Sequence, residues 1–448
     1  AEHAEGKVEK KKKKTDSEGG DDSEEGAYRK GLGLSISGGG GAFPKCVRKL
    51  ADAPFDKKVV AAMTSAGFTE PSTIQAQAWP AAMEGSDIVA VAKTGSGKTL
   101  GFLLPAFDRI VAKKERSKGP EALVLAPTRE LAVQIEAECV KFAKIQGVSS
   151  VCVYGGVPAG PQKAALAKGA SVVIGTPGRL CDLLNQGAMS LSACGYVVLD
   201  EADRMLDMGF EPQVTQIFGL VPGGSGRQTL MFSATWPKAI RKLAQKLMRP
   251  DPYLIFAQGG EDGELNANKA VSQRFIHATD DEKDRKLWDV LQEMPDSARV
   301  VIFANTKRRV DYLCKALWDE GLGTCSIHGD KQQAERDKAL AQFVQGERPL
   351  LIATDVAARG LDIKGVTHVI NFDMARDVES YIHRIGRTGR AGELGEAITY
   401  WNPDYDKECS PALIKIAKDA NQEVPDWLEK FEKAKANKQW KVADAVLV

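Results

Sequence analysis

The sequence predicts an α/β protein with two tandem parallel-sheet domains. Strand-like runs rich in Val, Ile and Leu recur along the chain, and stretches with helical periodicity separate them. Because these runs do not alternate apolar and polar residues, we expect each strand to be buried on both faces, as in a parallel sheet. A polar interval interrupts the rhythm once, beyond the middle of the chain, and the rhythm then resumes. Two sheets joined by a linker are therefore predicted.

Length and composition agree with this architecture. The chain has 448 residues, of which 43% are hydrophobic and 27% charged, a balance that suits globular domains with sizeable cores. The net charge is +1, so a polyanionic partner would have to bind a local basic surface. No apolar run reaches membrane-spanning length, and we predict no membrane partner. The eight cysteines are scattered without a CxxC pair, which favours buried thiols over zinc ligands or disulfides.

The predicted segments follow one another along the chain. Residues 1–43 combine a lysine run with acidic and glycine-rich stretches, and we expect them to form a disordered tail. The lysine run is compatible with nuclear import, with nucleic-acid contact or with plain solvation. The later segments are a first domain over 44–257, a linker over 258–269, a second domain over 270–425 and a short basic C-terminal tail over 426–448.

Twelve runs are predicted to form the strands of the two sheets. In the first domain they lie at 87–92, 122–127, 150–155, 171–176, 196–201 and 229–235. In the second domain they lie at 273–278, 299–305, 324–329, 349–355, 368–373 and 396–401.

The most specific motif is AKTGSGKT (92–99), which follows the first predicted strand and precedes a helical stretch. Small residues let backbone N–H groups wrap around phosphate oxygens, and the N-terminus of the helix adds positive potential. We expect Lys98 to reach the β- and γ-phosphates and Thr99 to place its hydroxyl on Mg²⁺. The residues expected to cradle the phosphates are Thr94, Gly95, Ser96 and Gly97.

Four apolar residues run directly into acidic residues in VVLDEADRML. Alone, this pattern indicates a buried strand followed by a helix whose first turn favours acids. Beside a phosphate-binding loop, Asp200 is predicted to hold Mg²⁺ through water and Glu201 to orient the attacking water as a base. Asp203 is predicted to hold a hydrogen-bond network, with Ser233 and Thr235 of MFSATWP as its partners.

A glycine-rich basic stretch, YIHRIGRTGRAG, carries Arg384, Arg387 and Arg390 at three-residue spacing. Gly-Arg-Thr-Gly-Arg is poor helix material, so this stretch is predicted to be shaped for a ligand. A basic helix surface and a nucleic-acid patch are the alternatives. An arginine that reaches a phosphoryl group across a cleft raises the rate of transfer by about 10³–10⁵. Hydrolysis would then depend on closure of the two domains.

In this order, the motifs resemble those of a DEAD-box RNA helicase of superfamily 2, over about residues 55–392. The resemblance implies two RecA-like domains, ATP and Mg²⁺ as cofactors, and RNA as a partner. GFTEPSTIQ is similar to the family's adenine-binding motif, which implies that Gln75 bonds the adenine edge and Phe55 stacks on its face. Ser72 and Thr73 stand where the family usually has Thr-Pro.

Other segments resemble the family's RNA-binding and coupling motifs. They are APTRELA, YGGV and TPGRL in the first domain, and VIFANTK, HGDKQQAER, ATDVAARGLD and HRIGRTGR in the second. The resemblance places Gly360 and Asp362 at the nucleotide, Arg387 and Arg390 at the γ-phosphate, and His383 in coupling between the domains. The residues that it assigns to RNA are Pro127, Arg129, Gly156, Thr176, Gly178, Arg179, Thr306, Gln333, Arg336 and Thr354.

These turns have the chemistry that RNA phosphates require. They offer backbone amides, hydroxyls and guanidinium groups, and they carry no array of aromatic residues that would read bases. We therefore expect backbone binding with little sequence specificity, and contacts to 2′-hydroxyls would favour RNA over DNA. Ordinary strand-to-helix turns are the alternative, with Arg129 and Arg179 as surface ion-pair partners.

The function predicted from the sequence is ATP hydrolysis driven by domain closure around single-stranded RNA, with local opening of short duplexes. The alternatives are an ATP-gated RNA clamp in mRNA processing or splicing and, less favoured, a DNA-directed motor. QTLMFSATWPKAIRKLA, LNANKAVSQ and DANQEVPDWLEKF resemble the nucleolar helicases of ribosome assembly, and the splicing and transcription branch is the alternative. We expect a monomer in the nucleus, within the nucleolus, acting in pre-rRNA processing with ribonucleoprotein partners; a cytoplasmic location is the alternative.

Overall fold

Runs of branched apolar residues form the strands of two sheets, as the sequence predicts. The structure, a computed structural model, describes residues 24–41, 43–92, 95–113, 115, 117, 119–257, 267–355, 365–389 and 393–432. None of the helices in these ranges has the length and apolar character needed to cross a bilayer.

The first domain alternates strands and helices. Its strands are β1 (Leu34–Ser37), β2 (Ile88–Val91), β3 (Ala122–Leu125), β4 (Ser150–Val153), β5 (Val172–Gly175), β6 (Tyr196–Leu199), β7 (Gln228–Ser233) and β8 (Tyr253–Ala257). Its helices are α1 (Glu24–Gly31), α2 (Lys57–Ser65), α3 (Thr73–Met83), α4 (Lys98–Val111), α5 (Arg129–Ala143), α6 (Ala159–Ala167), α7 (Pro177–Asn185), α8 (Ala202–Asp207), α9 (Glu211–Phe218) and α10 (Lys238–Leu247).

The sheet of the first domain has the order β1-β8-β2-β7-β6-β3-β5-β4. Neighbours from β8 to β4 are parallel, and β1 adds to β8 antiparallel. Successive residues of a strand enter opposite cores: Ile88 and Ala90 lie in the core with α3, α4 and α5, whereas Val89 and Val91 lie in the core with α7 to α10. Burial on both faces explains why the strand sequences do not alternate.

The second domain repeats this arrangement on a smaller sheet. Its strands are β9 (Val271–His277), β10 (Val300–Phe303), β11 (Thr324–Ile327), β12 (Leu350–Ala353), β13 (His368–Asn371) and β14 (Gly395–Trp401). Its helices are α11 (Asp280–Glu293), α12 (Lys307–Asp319), α13 (Gln333–Val344), α14 (Val378–Ile385), α15 (Ser410–Asp419) and α16 (Asp426–Glu429). The order is β11-β12-β10-β13-β14-β9, and every pairing is parallel.

Because the strands are parallel, the turns that follow them lie together along the carboxyl ends of the strands, and we call this side of each sheet its edge. β2, β7 and β6 are neighbours, as are β3, β5 and β4, so the turns that follow them form two adjoining groups in the first domain. β11, β12 and β10 form a matching group in the second domain. Both domains are RecA-like, and the predicted fold class is confirmed.

The predicted N-terminal boundary is wrong. Residues 24–41, expected within the disordered tail, contain α1 and β1, and β1 pairs with β8 from Leu34 opposite Ala257 to Ser37 opposite Leu254. The sequence did not predict β1 because LSIS is short and lies among glycines, and did not predict β8. The partner strand, more than 200 residues away in the chain, stabilises β1 as a strand.

The second domain also extends beyond its predicted limits. Ala267, placed in the linker by the sequence, is buried in the core beside Val271. At the other end, Leu428 of α16 is fully buried in the same core, with Trp427 and Phe431 packed against it. The described residues from 267 to 432 therefore contribute to this domain on both sides of the predicted range, 270–425.

Candidate functional site

The loop after β2 is held by tight backbone packing. Gly95 and Gly97 have φ of +79° and +85°, in the left-handed region that favours glycine. A Cβ on Gly97 would lie 2.6 Å from Ser72 Oγ and 2.7 Å from Gln75 Nε2, so glycine is required there. The carbonyl of Gly97 accepts a hydrogen bond from Gln75 Nε2 at 2.9 Å. The adenine-binding motif and the phosphate-binding loop are thereby joined.

Lys98 begins α4 and is only 6% exposed. Its Nζ donates to the carbonyl of Ala92 at 3.1 Å, which holds the ammonium group at the end of β2. The buried hydroxyl of Ser96 has no hydrogen-bond partner within the described residues. Thr99 follows Lys98 in the first helical turn and is half-buried. A buried cation beside an unsatisfied hydroxyl fits a phosphate ligand.

Asp200 follows β6, one strand removed from β2 across β7. Its backbone N–H donates to the carbonyl of Leu125 at 2.9 Å, which fixes the end of the strand. Burial, opposed by Lys98 and reinforced by the charges of Glu201 and Asp203, raises the pKa of Asp200 to about 6. A buried carboxylate among other acids is disfavoured without a cation, so Thr99 and Asp200 fit the predicted Mg²⁺ site.

Glu201 has a strained backbone, with φ 51° and ψ 54°. A non-glycine residue in the left-handed region costs about 1–2 kcal/mol, and such residues are concentrated at functional sites. The turn lets the N–H of Glu201 donate to Oδ1 of Asp200 at 3.0 Å. It also begins α8 directly after the strand, so both carboxylates stay at the sheet edge.

Asp203 holds the network that the sequence predicts at the end of β7. Its Oδ2 accepts hydrogen bonds from Thr235 Oγ1 at 3.0 Å, from Thr235 N at 3.1 Å and from Ala234 N at 3.1 Å. The predicted contact with Thr235 is confirmed. Ser233 joins the network through Thr235, since its hydroxyl accepts from Thr235 N at 3.4 Å. Their role in coupling stays a prediction.

The adenine-binding motif is carried by α3. Gln75 is buried, and its Oε1 accepts from Ser72 N at 3.0 Å while Nε2 uses one hydrogen on Gly97. The remaining hydrogen of Nε2 is the donor that an adenine edge would use. Phe55 is half-buried, with its ring 5.1 Å from that of Trp79 in an edge contact. The adenine roles of Gln75 and Phe55 stay predictions.

The three evenly spaced arginines of the second domain do not have one role. Arg384 is buried, and its guanidinium makes two hydrogen bonds to Asp355, at 2.6 and 2.7 Å, and one to Asn305 Oδ1 at 2.7 Å. Arg384 therefore anchors α14 to the strand ends of its own domain. The three-residue spacing of the arginines does not indicate this structural role. Arg387 is buried and donates from Nε to the carbonyl of His383 at 3.2 Å. Predicted residues outside the described ranges are Thr94, Gly360, Asp362 and Arg390.

The predicted RNA residues of the first domain meet at one edge. Arg129 stacks its guanidinium over the ring of Tyr154 at 4.5 Å. Arg179 donates to Gln162 Oε1 at 2.8 Å and to the carbonyl of Val157 at 2.7 Å. The turns that follow β3, β4 and β5 contain Pro127, Arg129, Gly156, Thr176, Gly178 and Arg179.

In the second domain Thr306, Gln333 and Thr354 follow β10, β11 and β12, which are neighbours. The hydroxyl of Thr306 caps α12 by accepting from Arg309 N at 3.2 Å. Arg336, one turn into α13, donates to Gln333 Oε1 at 3.2 Å. The structure thus brings the predicted RNA residues of this domain together at its own sheet edge.

Two ion pairs join these edges across the domain boundary. Arg129 Nη2 lies 2.8 Å from Asp337 Oδ2, and Arg336 Nη2 lies 2.6 Å from Glu130 Oε1. These carboxylates were missed by the sequence analysis, because no local pattern connects residues more than 200 positions apart. We call this pair of contacts the interdomain seam.

Acidic groups of both domains also interact where α14 begins. Burial, reinforced by Asp203, Asp207 and Asp377 and opposed by Arg204, raises the pKa of Glu379 to about 7. Asp203 and Asp207 belong to α8 of the first domain. The start of α14 therefore lies near α8, and the two ion pairs of the interdomain seam also join the domains.

Comparison with known proteins gives two family matches. Residues 72–243 match the DEAD/DEAH box helicase family, and residues 282–392 match the helicase conserved C-terminal domain. The matched ranges contain AKTGSGKT and VVLDEADRML in the first domain and HGDKQQAER in the second.

Similar proteins cover nearly the whole chain. DEAD-box ATP-dependent RNA helicase 14 of Arabidopsis thaliana is 48% identical over 401 residues, which are 89% of this chain and 63% of that protein. DEAD-box ATP-dependent RNA helicase 20 of Arabidopsis thaliana is 45% identical over 408 residues, 90% of this chain and 79% of that protein. The chain thus spans less than two thirds of the length of the first of these relatives.

Among solved structures, S. cerevisiae Dbp5 bound to RNA and ADP BeF₃ is similar over both domains. It has a TM-score of 0.73 and 29% sequence identity, and the match covers 86% of this chain and 100% of that chain.

Proposed function

Because the chain belongs to the DEAD-box RNA helicase family, we propose that it is an ATP-dependent RNA helicase. In this proposal the closed domains bind ATP and single-stranded RNA, hydrolyse ATP to ADP and phosphate, and open short duplexes locally. The observation that carries the proposal is the convergence of Lys98, after β2, with Asp200 and Glu201, after β6, on the two sides of β7. All three are buried there, which positions phosphate-binding and acid–base groups together.

Each residue of this site has a chemical task in hydrolysis. Lys98 binds the phosphate oxygens of ATP with its ammonium group. Glu201 accepts a proton from the attacking water, and its strained turn fixes the carboxylate at the sheet edge. Thr99 and Asp200 would hold Mg²⁺, which when bound neutralises phosphate charge. Closure brings Arg387 and Arg390 towards the γ-phosphate in this proposal, completing the site.

The proposed RNA surface is formed by the edges on both sides of the interdomain seam. Arg129 Nη1 and Arg336 Nε are buried donors without a hydrogen-bond partner among the described residues. Buried donors are usually paired, and a phosphate oxygen is an acceptor that suits guanidinium groups. The likeness to a structure that holds RNA and a nucleotide analogue supports the same arrangement.

ATP hydrolysis with and without RNA tests the proposal. We expect single-stranded RNA to stimulate the wild-type rate, because binding and closure complete the site. Glu201→Gln should abolish stimulated turnover but retain ATP binding, whereas Glu138→Gln on the outer surface of α5 should behave as wild type. Equal rates with and without RNA, or full turnover by Glu201→Gln, would contradict the proposal.

We also propose a role in pre-rRNA processing within the nucleolus, as a monomer with ribonucleoprotein partners. The lysine run at 7–15 and the segments similar to nucleolar helicases support this finer role. Depletion should cause unprocessed pre-rRNA to accumulate, and a tagged chain should colocalise with nucleoli. Accumulation of unspliced mRNA instead, with normal pre-rRNA, would favour the splicing alternative.

A further inference from the structure

An N-terminal segment outside both family matches braces the helix that carries Gln75. This N-terminal brace comprises residues 24–41 and 43–48, which include α1 and β1. Residues 43–48 pass the first turn of α3, where the N–H of Val47 donates to the carbonyl of Ala76 at 2.8 Å. A backbone contact therefore joins the brace to the residue next to Gln75.

Gln77 is the centre of the contact and is 1% exposed. Its Oε1 accepts from Arg29 Nε at 3.1 Å and from Cys46 Sγ at 3.0 Å, and its Nε2 donates to the carbonyl of Pro44 at 2.9 Å. Arg29 Nη2 donates to the same Pro44 carbonyl at 2.9 Å. Arg29 thus bridges a side chain of α3 and the backbone of the brace.

The surroundings of Arg29 keep this bridge in place. Its side chain is 9% exposed and lies 3.9 Å from Glu25 Oε1, which also accepts from Cys46 N at 2.6 Å. Burial, reinforced by Glu25, raises the pKa of Cys46 to about 12, so a neutral thiol donates to Gln77. Because these acceptors already fix the buried guanidinium of Arg29, its hydrogen bond to Gln77 costs little additional side-chain entropy.

The opposite side of α3 contacts the nucleotide-binding loop. Gln75, two residues before Gln77, donates to Gly97, and Trp79 Nε1 donates to the carbonyl of Leu100 at 3.1 Å. The first turns of α3 are therefore fixed between the N-terminal brace and α4. A shift of α3 away from the brace would move Gln75 relative to Gly97.

We propose that Arg29 is a positioning residue for adenine selection, acting through Gln77 and the first turn of α3 on Gln75. The inference rests on the proposed function, in which Gln75 bonds the adenine edge. Arg29 does not touch the nucleotide; it fixes the helix from which the base-reading amide projects. Its loss should weaken discrimination between adenine and guanine nucleotides and leave the phosphate chemistry intact.

The test compares three variants of the chain in RNA-stimulated hydrolysis of ATP and GTP. Arg29→Met removes the guanidinium and keeps most of the aliphatic volume, and Arg29→Lys restores one donor and the charge. Arg48→Met is the matched control, because Arg48 lies in the same brace but is 39% exposed and pairs with Glu24 and Glu25. Circular dichroism and thermal unfolding establish the folded fraction of each.

For Arg29→Met we expect KM for ATP to rise about 2- to 10-fold, the range that loss of one net hydrogen bond of 0.5–1.5 kcal/mol produces. kcat at saturating ATP should stay within about twofold, since the acids and Lys98 are untouched. The ratio of kcat/KM for ATP to that for GTP should fall accordingly. Arg29→Lys should recover part of the ratio, and Arg48→Met should match wild type.

A double-mutant cycle with Gln75→Ala separates positioning from folding. If Arg29 acts through Gln75, Arg29→Met should change KM for ATP little in the Gln75→Ala background. A purely structural role would lower kcat for both nucleotides equally without changing their ratio, and that result would overturn the inference. A wild-type chain without ATP hydrolysis or without preference for ATP would instead contradict the proposed function.

Discussion

The interdomain seam predicts that two carboxylates control domain closure separately from RNA binding. Arg129 and Arg336 are predicted RNA residues, so replacing them would disturb both properties. Their partners Glu130 and Asp337 have no predicted role at RNA. Glu130→Ala and Asp337→Ala therefore remove each ion pair and leave both guanidinium groups available to phosphate.

Burial sets the expected size of each effect. The side chains of Arg336 and Glu130 are 18% and 11% exposed, whereas Asp337 is 54% exposed. A shielded, charge-assisted hydrogen bond contributes about 1.5–3 kcal/mol, and a half-exposed ion pair about 0.2–1 kcal/mol. Glu130→Ala should therefore lower the closed-to-open ratio at least about tenfold, and Asp337→Ala by about fivefold at most.

Energy transfer between one dye on each domain measures the closed fraction in the presence of RNA and a non-hydrolysable ATP analogue. RNA affinity without nucleotide is measured in parallel by fluorescence anisotropy. We expect both variants to close less while their RNA affinity is unchanged or increased, because arginines freed from carboxylates bind phosphate better. Glu138→Ala, on the outer surface of α5, is the control and should leave both quantities unchanged.

The opposite pattern would refute the reasoning. If Glu130→Ala closed as readily as wild type, the seam would contribute nothing to closure. If it lost RNA affinity without nucleotide, Glu130 would support RNA binding instead. A double-mutant cycle between Glu130→Ala and Arg336→Ala should give a coupling free energy of at least about 1 kcal/mol, as expected for residues in direct contact.

Three further predictions concern buried charges. Burial chiefly, together with the acids of α8, raises the pKa of Glu379 from its ordinary 4.5 to about 7. The part that comes from the acids of α8 is gained when the domains meet, so closure takes up protons and should weaken as pH rises from 6 to 8. Glu379→Gln should remove this dependence in the energy-transfer assay, and an unchanged pH profile would contradict it. Burial is the main cause that raises the pKa of Asp406 from 3.8 to about 7, so the fold favours the protonated carboxyl group. This contribution to stability is complete below pH 3.8 and is lost as pH rises through 7. Asp406→Asn should therefore raise Tm more at pH 8 than at pH 4, and an equal change at both would refute this. Arg384→Met removes the buried guanidinium that bonds Asp355 and Asn305, and it should lower the free energy of unfolding by about 3–5 kcal/mol in urea titrations; a loss below about 1 kcal/mol would show that Arg384 is not an anchor.

Local patterns were enough to predict the nucleotide loop and the strands of both sheets other than β1 and β8. The runs around Ile88 and Val198 are apolar on both faces, and burial between two helical layers requires that composition. Gly97 and Lys98 belong to one short motif whose spacing is fixed by phosphate geometry. The contact between Asp203 and Thr235 was predictable because both follow neighbouring strands.

Contacts between distant segments could not be predicted in the same way. β1 is a strand because β8 pairs with it, and LSIS alone carries too few residues to indicate a strand. Glu130 and Arg336 meet because the two domains pack together, and the spacing of residues in the sequence does not predict such a contact. Arg384 differs from Arg387 only through what each one contacts, so equal spacing in the sequence concealed an anchor beside a catalytic candidate.

The left-handed backbone at Glu201 also opposes stability to activity in laboratory evolution. Glycine adopts φ 51° freely, so Glu201→Gly should relieve about 1 kcal/mol of strain even as it removes the base. A selection that rewards heat resistance alone would therefore enrich glycine at this position and yield robust, inactive chains. Retaining glutamate requires that turnover be part of the screen.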